Sequence, residues 1–447
     1  TFGTDGIRGN AGKDLTPALM MHLGYWVSHV LPRAGPVLIG QDSRQSGDML
    51  AAALTAGLTA AGKEVWTVGL CPTPAVPYLI KALGAAGGIM VSASHNPPED
   101  NGIKIFDQNG VKIDSDKQLL LESKLLSESS SKRIPSFMSF GKAYQRNDLL
   151  KRYKKGLLST VQEKSLAGVR VVLDLCWGSA TACGAEVFKS LGADLTVLHG
   201  KPDGKRINVG CGSTKLDLLR QSVLYTKAEM GFAFDGDADR MLAIDENGRV
   251  LDGDHILYLW GSTLQDRGDL PQNRLVATVM SNLGFERDWK ARGGLLERTP
   301  VGDENVHSAM ISTGAALGGE QSGHILSAKH GLCGDGVLSA LQLATICHQK
   351  GLTLAQWRNE SFKAFPQKLV NVVLPSLLAQ KSWKNSETIK KAVNQAEASM
   401  GKGGRVLLRA SGTEPLLRVL VEAEDQGVVE TWASNLAEIV ENHFDAA

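Results

Sequence analysis

Short apolar runs alternate with glycine-bearing turns and helical patterns along most of this chain, and this alternation limits the folds it can adopt. Strand candidates lie at 37–39, 65–68 and 88–91, and residues 48–62 have a helical pattern. The apolar positions of this helix are Met49, Ala52, Ala53, Ala56 and Ala60. Because strands that alternate with helices form βαβ units, we expect an α/β protein with mostly parallel sheets.

The same alternation restarts twice further along the chain. A second block begins near Gly168 and a third near Asp252. Their predicted elements are strands at 169–173, 195–198, 232–234 and 275–279, helices at 180–191 and 335–349, and a hairpin turn at 245–248. Asp252 and Asp254 precede a helical pattern and are interpreted as helix-capping residues.

The last 80 or so residues predict a smaller unit with two helices and two strands. The first helical face consists of Ile389, Ala392, Val393, Ala396 and Met400, and Gly401 is a plausible stop after it. The strands are placed at 406–408 and 417–421, and the final helix is marked by Val428, Trp432, Leu436 and Ile439.

Composition excludes several classes of protein. With 447 residues the chain is too long for one ordinary core, and its 43% hydrophobic and 21% charged residues are typical of globular domains. A net charge of +1 gives no sign of nucleic-acid or anionic-membrane binding. No apolar run approaches the roughly 18 residues needed to span a bilayer.

The cysteines and the first residues bear on the cellular compartment. Six cysteines without a C-x-x-C pair argue against a disulfide scaffold or a zinc site and favour a reducing cytoplasm. No charged segment followed by an apolar stretch opens the chain, so no signal peptide is visible. The missing initial Met suggests that a few residues precede Thr1.

An acidic loop follows the predicted strand at 232–234. Asp235, Asp237 and Asp239 stand at alternate positions, so their carboxylates can converge on one ion. Carboxylate oxygens alone suit a hard cation, Mg²⁺ rather than Zn²⁺. The alternative is an acidic turn that caps backbone amides. An EF-hand loop is excluded because Arg240 occupies its glycine position.

Polar side chains also follow the strand at 88–91. Ser94 is a candidate nucleophile, with His95 beside it and Lys104 ten residues on. Ligands gather beyond the carboxyl ends of strands in open α/β sheets, which favours a functional loop here. The alternative is a loop whose serines only cap backbone groups.

Two further loops carry candidate binding residues. In the segment 318–324, Glu320 and Ser322 can bind neighbouring sugar hydroxyls, while Gln321 or His324 can read another substituent. The segment 409–415 and the following residues offer phosphate ligands: Arg409, Ser411, Gly412, Thr413 and Arg418. A polar surface turn and a hairpin with surface arginines are the respective alternatives. The segment 3–9 adds Arg8 among flexible residues.

These loops, in this order, resemble the phosphoserine, metal, sugar-recognition and phosphate-binding loops of the α-D-phosphohexomutase superfamily. The resemblance covers about residues 1–420. It implies a four-domain architecture, with three mixed-sheet α/β domains and a smaller C-terminal α+β domain around a central cleft. We place the domains at 1–148, 149–250, 251–364 and 365–447. Gln321 and the segment 208–214 resemble the branch that acts on glucosamine phosphates.

The resemblance also implies a mechanism. Ser94 would be phosphorylated and, with Asp235, Asp237 and Asp239, would bind one Mg²⁺. Lys104 would be the general acid or base, with His95 as the alternative. Arg8 and Arg240 would neutralise phosphoryl charge.

The implied substrates are a hexosamine phosphate and its bisphosphate. Glu320, Gln321, Ser322 and His324 would contact the sugar, and the segment 409–418 would hold its distal phosphate. The implied product supplies amino-sugar synthesis in the cytoplasm. The chain is expected to act as a monomer or homodimer.

Two residues depart from the family pattern. Ala238 replaces the usual glycine of the metal loop, and Glu304 replaces a residue that is often basic. The second change puts a cationic contact from the 301–306 loop in doubt. Alternative functions are a phosphomannomutase/phosphoglucomutase, a metal-dependent sugar phosphatase and a catalytically silent sugar-phosphate binding protein.

Overall fold

The structure, a computed structural model, divides into two compact units. It describes residues 3, 6–126, 139–376, 383–410 and 415–445. The first unit takes chain segments 1–280 and 293–361, and the second takes 281–292 and 362–447. The predicted phosphate ligands Ser411, Gly412 and Thr413 lie outside the described residues.

A six-stranded sheet is formed by the first part of the chain. Its strands are β1 (Ile7–Asn10), β2 (Val37–Gln41), β3 (Val65–Leu70), β4 (Gly87–Val91), β5 (Asp100–Phe106) and β6 (Ala143–Gln145), in the order β1-β5-β4-β2-β3-β6. Its helices are α1 (Pro17–Val30), α2 (Gly47–Ala60), α3 (Ala75–Leu83), α4 (Ser115–Leu126) and α5 (Leu150–Leu158). β2 pairs in parallel with β3 and β4, but β5 is antiparallel to β1 and β4, so the sheet is mixed.

Helix α2 forms where it was predicted, but the face assigned to it was wrong. Ala52 and Ala56 are exposed, whereas Leu50, Leu54 and Leu58 are buried. The reason is close packing on α1. A Cβ at Gly57 would lie 2.0 Å from the carbonyl oxygen of Met21, so this glycine lets the two helix backbones approach each other.

The second sheet has the order β11-β10-β9-β7-β8. Its strands are β7 (Arg170–Asp174), β8 (Asp194–Leu198), β9 (Met230–Phe234), β10 (Met241–Asp245) and β11 (Val250–Leu251), and its helices are α6 (Gly184–Ser190) and α7 (Asp217–Thr226). The single helix predicted at 180–191 was wrong: a 3₁₀ helix at Ser179–Ala182 precedes α6, and Cys183 breaks the run with φ −148°. The hairpin predicted at 245–248 joins β10 to β11 as expected.

The third sheet, with the order β13-β12-β14-β15, completes the first unit. Its strands are β12 (Arg274–Thr278), β13 (Leu295–Thr299), β14 (Leu317–Gly319) and β15 (Ile325–Ser327). Its helices are α8 (Gly253–Asp266), α10 (Asp303–Thr313), α11 (Gly336–Lys350) and α12 (Leu354–Asn359). Asp252 is the N-cap of α8 and accepts a hydrogen bond from the N–H of His255, as predicted.

The second unit is an α+β structure around one antiparallel sheet, ordered β16-β18-β17. Its strands are β16 (Gln367–Val373), β17 (Gly404–Ala410) and β18 (Leu416–Ala423), and its helices are α9 (Leu283–Ala291), α13 (Glu387–Met400) and α14 (Gln426–Asp445). The predicted stop of α13 at Gly401 is confirmed. α9 belongs here because the rings of Phe285 and Phe362 stack, with centroids 5.4 Å apart, and Glu422 accepts a hydrogen bond from the N–H of Leu283 at 2.7 Å.

Within the described part of the chain, no helix combines the length and the apolar character that crossing a membrane requires.

Candidate active site

Ser94 occupies a buried loop directly after β4. Its backbone has φ 52°, a left-handed conformation that is uncommon for serine and that is typically held by surrounding contacts. Its hydroxyl donates a hydrogen bond to Asp235 Oδ2 at 2.6 Å, and its N–H donates to Ser92 Oγ at 3.0 Å. The loop therefore aims the Ser94 oxygen at the acidic loop of the second sheet.

A buried arginine that the sequence analysis did not identify holds this loop in place. Arg44 donates hydrogen bonds to the carbonyl oxygens of Ser94 at 3.0 Å, Asn96 at 2.8 Å and Asp100 at 2.8 Å. Its own orientation is fixed by Asp42, whose Oδ2 lies 3.0 Å from Arg44 Nε. Because one guanidinium serves several carbonyl groups, the loop has a single well-determined shape.

The acidic loop brings three carboxylates together, as the sequence predicted. Asp235, Asp237 and Asp239 follow β9 and are buried, and one oxygen from each lies within 4.8 Å of the others. Ala238 replaces the usual glycine with φ 57°, a left-handed backbone that alanine adopts only under constraint. The three carboxylates converge with alanine at this position.

Lys104 and Thr73 contact this cluster from the first sheet. Lys104 Nζ is buried and lies 2.8 Å from both Asp237 Oδ2 and Asp239 Oδ2. Thr73 Oγ1 donates a hydrogen bond to Asp237 Oδ2 at 2.5 Å. Because its ammonium group lies this close to two carboxylates, Lys104 partly neutralises the negative charge of the cluster.

Burial and mutual repulsion perturb the ionisation of these groups in opposite directions. Burial, together with the charges of Asp239 and Asp237, raises the pKa of Asp235 well above its usual value. Burial also opposes ionisation of Asp239, but Lys104, His324 and Arg240 outweigh it and hold its pKa well below the usual value. A strongly perturbed pair of this kind is typical of functional sites.

The carboxylate cluster fits a hard metal cation. Among the described residues, Asp237 Oδ1 is a buried oxygen that accepts no hydrogen bond. Such a group is costly to bury unless something else satisfies it. The convergent groups that the described residues supply are three carboxylates, which suit a hard cation such as Mg²⁺ or Ca²⁺ better than zinc.

Three more of the predicted side chains surround Ser94 and the cluster. His95 Nδ1 lies 3.3 Å from Ser94 Oγ, and Arg8 donates a hydrogen bond to Asn96 Oδ1 at 3.0 Å. The N–H of Arg240 donates to Asp235 Oδ1 at 3.1 Å. Burial, with the charges of Arg240 and Arg8, lowers the pKa of His95 to about 4, so its ring is neutral near pH 7.

The predicted sugar loop forms the turn between β14 and β15. Glu320 accepts a hydrogen bond from the N–H of Gly302 at 3.1 Å, Gln321 is half-buried and Ser322 is exposed. His324 is buried, with Nδ1 3.6 Å from Asp239 Oδ1. Burial opposes the charge on His324, but the carboxylates of Asp239, Asp303 and Glu320 raise its pKa to about 9. His324 is thus a cation that joins this turn to the acidic cluster.

The loop at 301–306 receives a positive charge from another part of the first unit. Lys112 Nζ lies 2.6 Å from Asp303 Oδ2, next to Glu304 in the first turn of α10. Asp303 Oδ2 is also 3.7 Å from His324 Nε2. The sequence placed no cation here because Lys112 is far away along the chain.

Two of the predicted phosphate ligands face each other in the second unit. Arg409 on β17 and Arg418 on β18 are direct partners in the antiparallel register, so their side chains emerge on the same face of the sheet. Arg418 Nε is buried and makes no hydrogen bond to a described residue. Like charges opposite each other are unfavourable unless an anion lies between them.

Three supporting residues were missed, namely Asp42, Arg44 and Thr73. Asp42 and Arg44 follow β2, and Thr73 follows β3, both of which lie beside or near β4 in the sheet. The rule that identified Ser94, polar residues at the carboxyl end of a parallel strand, applies to them equally. Asn208 opens the segment 208–214 that carried part of the resemblance, but no role was assigned to it; its amide donates hydrogen bonds to the carbonyl oxygens of Ser94 and Asn96.

Family comparisons cover almost the whole chain. Four profiles described as phosphoglucomutase/phosphomannomutase match it: alpha/beta/alpha domain I at 1–132, domain II at 150–248, domain III at 252–365 and the C-terminal domain at 369–439. Similar curated proteins include the phosphoglucosamine mutases of Prochlorococcus marinus strain MIT 9313, 66% identical over 446 residues, and of Synechococcus sp. strain WH7803, 62% identical over 447 residues. The chain covers 95% and 96% of their lengths, and each alignment includes 100% of this chain.

Solved structures share the fold at lower identity. A phosphoglucomutase/phosphomannomutase family protein from Burkholderia thailandensis is 24% identical, with a TM-score of 0.81 over 98% of this chain and 96% of its own. An N-acetylglucosamine-phosphate mutase of the α-D-phosphohexomutase superfamily is 18% identical, with a TM-score of 0.68 over the same shares of both chains.

Proposed function

This chain belongs to the phosphoglucomutase/phosphomannomutase family, and from that premise we propose that it interconverts glucosamine 6-phosphate and glucosamine 1-phosphate. Such an enzyme is an isomerase that works by phosphoryl transfer. The observation that carries the proposal is the 2.6 Å hydrogen bond from Ser94 Oγ to Asp235, within a buried cluster of three convergent carboxylates. Full-length relatives at 58–66% identity that are phosphoglucosamine mutases support the choice of an amino sugar.

In the proposed reaction Ser94 carries the phosphoryl group that is exchanged. The phosphorus–oxygen bond to Ser94 breaks as a bond forms to a hydroxyl oxygen of the sugar monophosphate, and the hydroxyl proton passes to a base. The bisphosphate then turns over and returns its other phosphoryl group to Ser94. Positioning and charge stabilisation supply most of the rate in such transfers, which suits a loop fixed by Arg44 and Asn208.

We propose that Asp235, Asp237 and Asp239, together with the Ser94 phosphate, hold one Mg²⁺. The bound ion would withdraw charge from the phosphoryl oxygens and so favour in-line displacement. The convergence of the three carboxylates and the buried Asp237 Oδ1, which accepts no hydrogen bond from a described residue, support this assignment. Arg8 and Arg240 would neutralise the remaining charge of the phosphoryl group from the sides of the site.

Two residues compete for the role of proton acceptor. We retain Lys104 as the general acid or base, because its ammonium is buried 2.8 Å from two carboxylates that fix its position. His95 is the alternative: its ring lies 3.3 Å from Ser94 Oγ and is neutral near pH 7 because burial lowers its pKa. A neutral imidazole can accept a proton immediately, whereas an ammonium must first lose one.

The remaining predicted residues would bind the substrate. Glu320 and Ser322 would bind sugar hydroxyls, Gln321 and His324 would read the other substituents, and the segment 409–418 would hold the phosphate that is not reacting. We also retain the four domains bounded at 148, 250 and 364, the monomeric or homodimeric state, and the cytoplasm as predictions.

A substrate comparison tests the proposal. Purified protein, Mg²⁺ and a trace of hexose bisphosphate are incubated separately with the 1-phosphates of glucosamine, glucose and mannose, and phosphorus NMR follows the 6-phosphate. We expect the fastest conversion with glucosamine and no conversion by Ser94→Ala. Equal or slower conversion of the amino sugar would favour a phosphomannomutase/phosphoglucomutase instead. Steady release of inorganic phosphate would indicate a phosphatase.

A further inference from the structure

Two buried cysteines meet beneath the Ser94 loop. Cys176 follows β7, Cys211 precedes α7, and neither side chain is exposed. Their sulfur atoms lie 3.8 Å apart, and both thiols are free. A disulfide bond measures about 2.05 Å, so the two sulfur atoms must approach each other by about 1.75 Å for the bond to form.

A single carboxylate fixes both segments that carry these thiols. Asp174 Oδ1 accepts a hydrogen bond from the N–H of Cys176 at 2.9 Å, and Oδ2 accepts one from the N–H of Gly212 at 2.9 Å. His199 Nδ1 lies 2.7 Å from Asp174 Oδ1. Because these contacts occupy the carboxylate, it anchors the two loops and is poorly suited to ligate a metal.

The two sulfur atoms have different electrostatic surroundings. The close contact with Cys176 lowers the pKa of Cys211, against burial and the charge of Asp174. The contact with Cys211, together with burial, raises the pKa of Cys176 well above its usual value. Cys211 is therefore the sulfur that loses its proton more readily, and the thiolate is the reactive form of cysteine.

The backbone around the pair is held in an unusual conformation. Four residues other than glycine have left-handed backbones here: Cys176 with φ 58°, Trp177 with φ 55°, His199 with φ 51° and Asn208 with φ 63°. Such conformations persist only where surrounding contacts impose them, and they cluster at functional sites. Of these four residues, Cys176 carries one of the two sulfur atoms, Asn208 contacts that sulfur, and His199 contacts Asp174, which anchors both loops.

Asn208 connects the thiol pair to the nucleophile. The Cys176 thiol donates to Asn208 Oδ1 at 3.1 Å, and Asn208 Nδ2 donates to the carbonyl oxygens of Ser94 at 2.8 Å and Asn96 at 2.9 Å. A Cβ at Gly236 would lie 2.9 Å from Asn208 Nδ2 and 2.6 Å from the Ser94 carbonyl oxygen. The amide is thus packed between the Ser94 loop and the acidic loop, and its orientation depends on the Cys176 thiol.

We propose that Cys176 and Cys211 are an oxidation site, which hydrogen peroxide converts to a disulfide that lowers the activity at Ser94. The Cys211 thiolate attacks one peroxide oxygen, the oxygen–oxygen bond breaks, and the released oxygen leaves as water after protonation. Cys176 sulfur then attacks the resulting sulfenic acid, the sulfur–sulfur bond forms and a second water leaves. The two thiols lose two electrons and two protons, which the peroxide takes up.

The effect on activity follows from the lost hydrogen bond. A disulfide-bonded Cys176 has no proton to donate to Asn208 Oδ1, so the amide that supports Ser94 and Asn96 loses one of the three hydrogen bonds that orient it. Misplacement of a reacting group by about 1 Å can cost about 100-fold in rate. We therefore expect at least a tenfold loss of kcat on oxidation. This part of the inference rests on the proposed mutase function, whereas formation of the disulfide does not.

The test measures the disulfide and the activity separately. Full-length protein is treated with hydrogen peroxide, which is small enough to reach buried thiols, and the remaining thiols are alkylated under denaturing conditions. Peptide mass mapping should find Cys176 linked to Cys211. Mutase activity should fall at least tenfold in the same sample and return after treatment with dithiothreitol.

Two variants serve as controls. Cys211→Ser, which removes a thiol that contacts no substrate-binding residue, should keep its activity in peroxide, whereas Cys347→Ser on α11 should lose it as the unaltered protein does. Absence of the Cys176–Cys211 peptide would overturn the oxidation site, whatever the activity. A linked peptide with unchanged kcat would overturn the coupling to Ser94. If the reduced protein has no mutase activity at all, the proposed function fails while the peptide still decides the oxidation site.

Discussion

The Arg44 guanidinium and the Ser94 carbonyl group are joined by a buried hydrogen bond of 3.0 Å, although the two residues belong to different loops of the first sheet. The same guanidinium binds three further carbonyl groups, those of Asn96, Pro97 and Asp100, and Asp42 orients it. The shape of the nucleophile loop is therefore determined by a residue that need not touch the substrate. Arg44 is a positioning residue.

Replacing Arg44 by lysine should lower kcat while leaving KM nearly unchanged. Lysine keeps the charge but lacks the planar fork that binds several carbonyl groups at once. The Ser94 loop would lose its fixed geometry, and we expect kcat to fall by about 10- to 100-fold. Steady-state kinetics on glucosamine 1-phosphate measures both constants.

The matched control is Arg146→Lys, because Arg146 is half-buried just after β6, where it pairs with Asp148 and its guanidinium stacks over the Trp66 ring. It should behave as the unaltered protein does. A rise in KM with unchanged kcat in Arg44→Lys would contradict a positioning role and indicate substrate binding instead.

Replacing Asp235 by asparagine should abolish the stabilisation of the protein by Mg²⁺. A ligand that binds only the folded state at 100 times its Kd stabilises it by about 2.7 kcal/mol. The melting temperature of the unaltered protein should therefore rise by several degrees with saturating Mg²⁺. Asp235→Asn keeps the side-chain shape but removes one ligand charge, so its melting temperature should not respond. Differential scanning calorimetry with and without Mg²⁺ measures this.

Asp194→Asn at the exposed start of β8 is the control, and its melting temperature should rise with Mg²⁺ like that of the unaltered protein. An Asp235→Asn protein that Mg²⁺ still stabilises fully would rule out Asp235 as a ligand.

Replacing Asp335 by asparagine should stabilise the protein at neutral pH but not at acid pH. Asp335 caps α11 and accepts hydrogen bonds from Leu338 N–H at 2.9 Å and Tyr153 Oη at 2.8 Å. Burial raises its pKa from 3.8 to about 6, so the folded state holds this proton more tightly than the unfolded state. The stability that the Asp335 proton contributes is therefore fully present below pH 3.8 and is lost as the pH rises through about 6.

The shift in the pKa of Asp335 from 3.8 to about 6 corresponds to about 3 kcal/mol of lost stability at neutral pH, since each tenfold change in proton affinity is worth about 1.4 kcal/mol. Asparagine is also a good cap but does not ionise, so the variant avoids the loss. Urea unfolding of both proteins at about pH 4 and pH 7 measures the difference between them. The exposed Asp116→Asn should show no such pH dependence relative to the unaltered protein. If Asp335→Asn gains no stability at pH 7, ionisation of the buried Asp335 carboxyl group does not destabilise the folded state.

The sequence was sufficient to predict nine of the eighteen strands in the described residues and the convergence of the three aspartates. Buried strands such as β4 and β9 are continuous apolar runs that end in polar residues, so their position and their functional edge can be read together. The alternate spacing of Asp235, Asp237 and Asp239 is a local feature. Local features of this kind depend little on the rest of the fold.

Features that depend on contacts between distant segments were not predictable. The apolar face predicted for α2 was wrong because the buried face is the one that carries the leucines and Gly57, where α1 packs closely, while Ala52 and Ala56 lie on the exposed side. The joining of Lys104 to Asp237, and of Asn208 to Ser94, likewise requires two sheets to meet. The spacing of these residues along the chain does not predict that the two sheets pack against each other.

Replacing Arg418 by glutamine should weaken substrate binding and at the same time slightly stabilise the second unit. Arg418 lies directly opposite Arg409 across β17 and β18, and like charges in that position destabilise a sheet by about 0.2–1 kcal/mol. Without substrate, removal of one charge relieves this repulsion. With substrate, it removes a charge-assisted hydrogen bond to phosphate, worth about 1.5–3 kcal/mol, so KM should rise by about 10- to 100-fold. Because this contact forms equally in ground and transition states, kcat should change little.

Kinetics and thermal unfolding of the same preparation measure both effects. Arg292→Gln, which changes an exposed arginine of the same unit, should show neither effect. An unchanged KM together with a lower melting temperature would mean that Arg418 supports the sheet rather than the substrate.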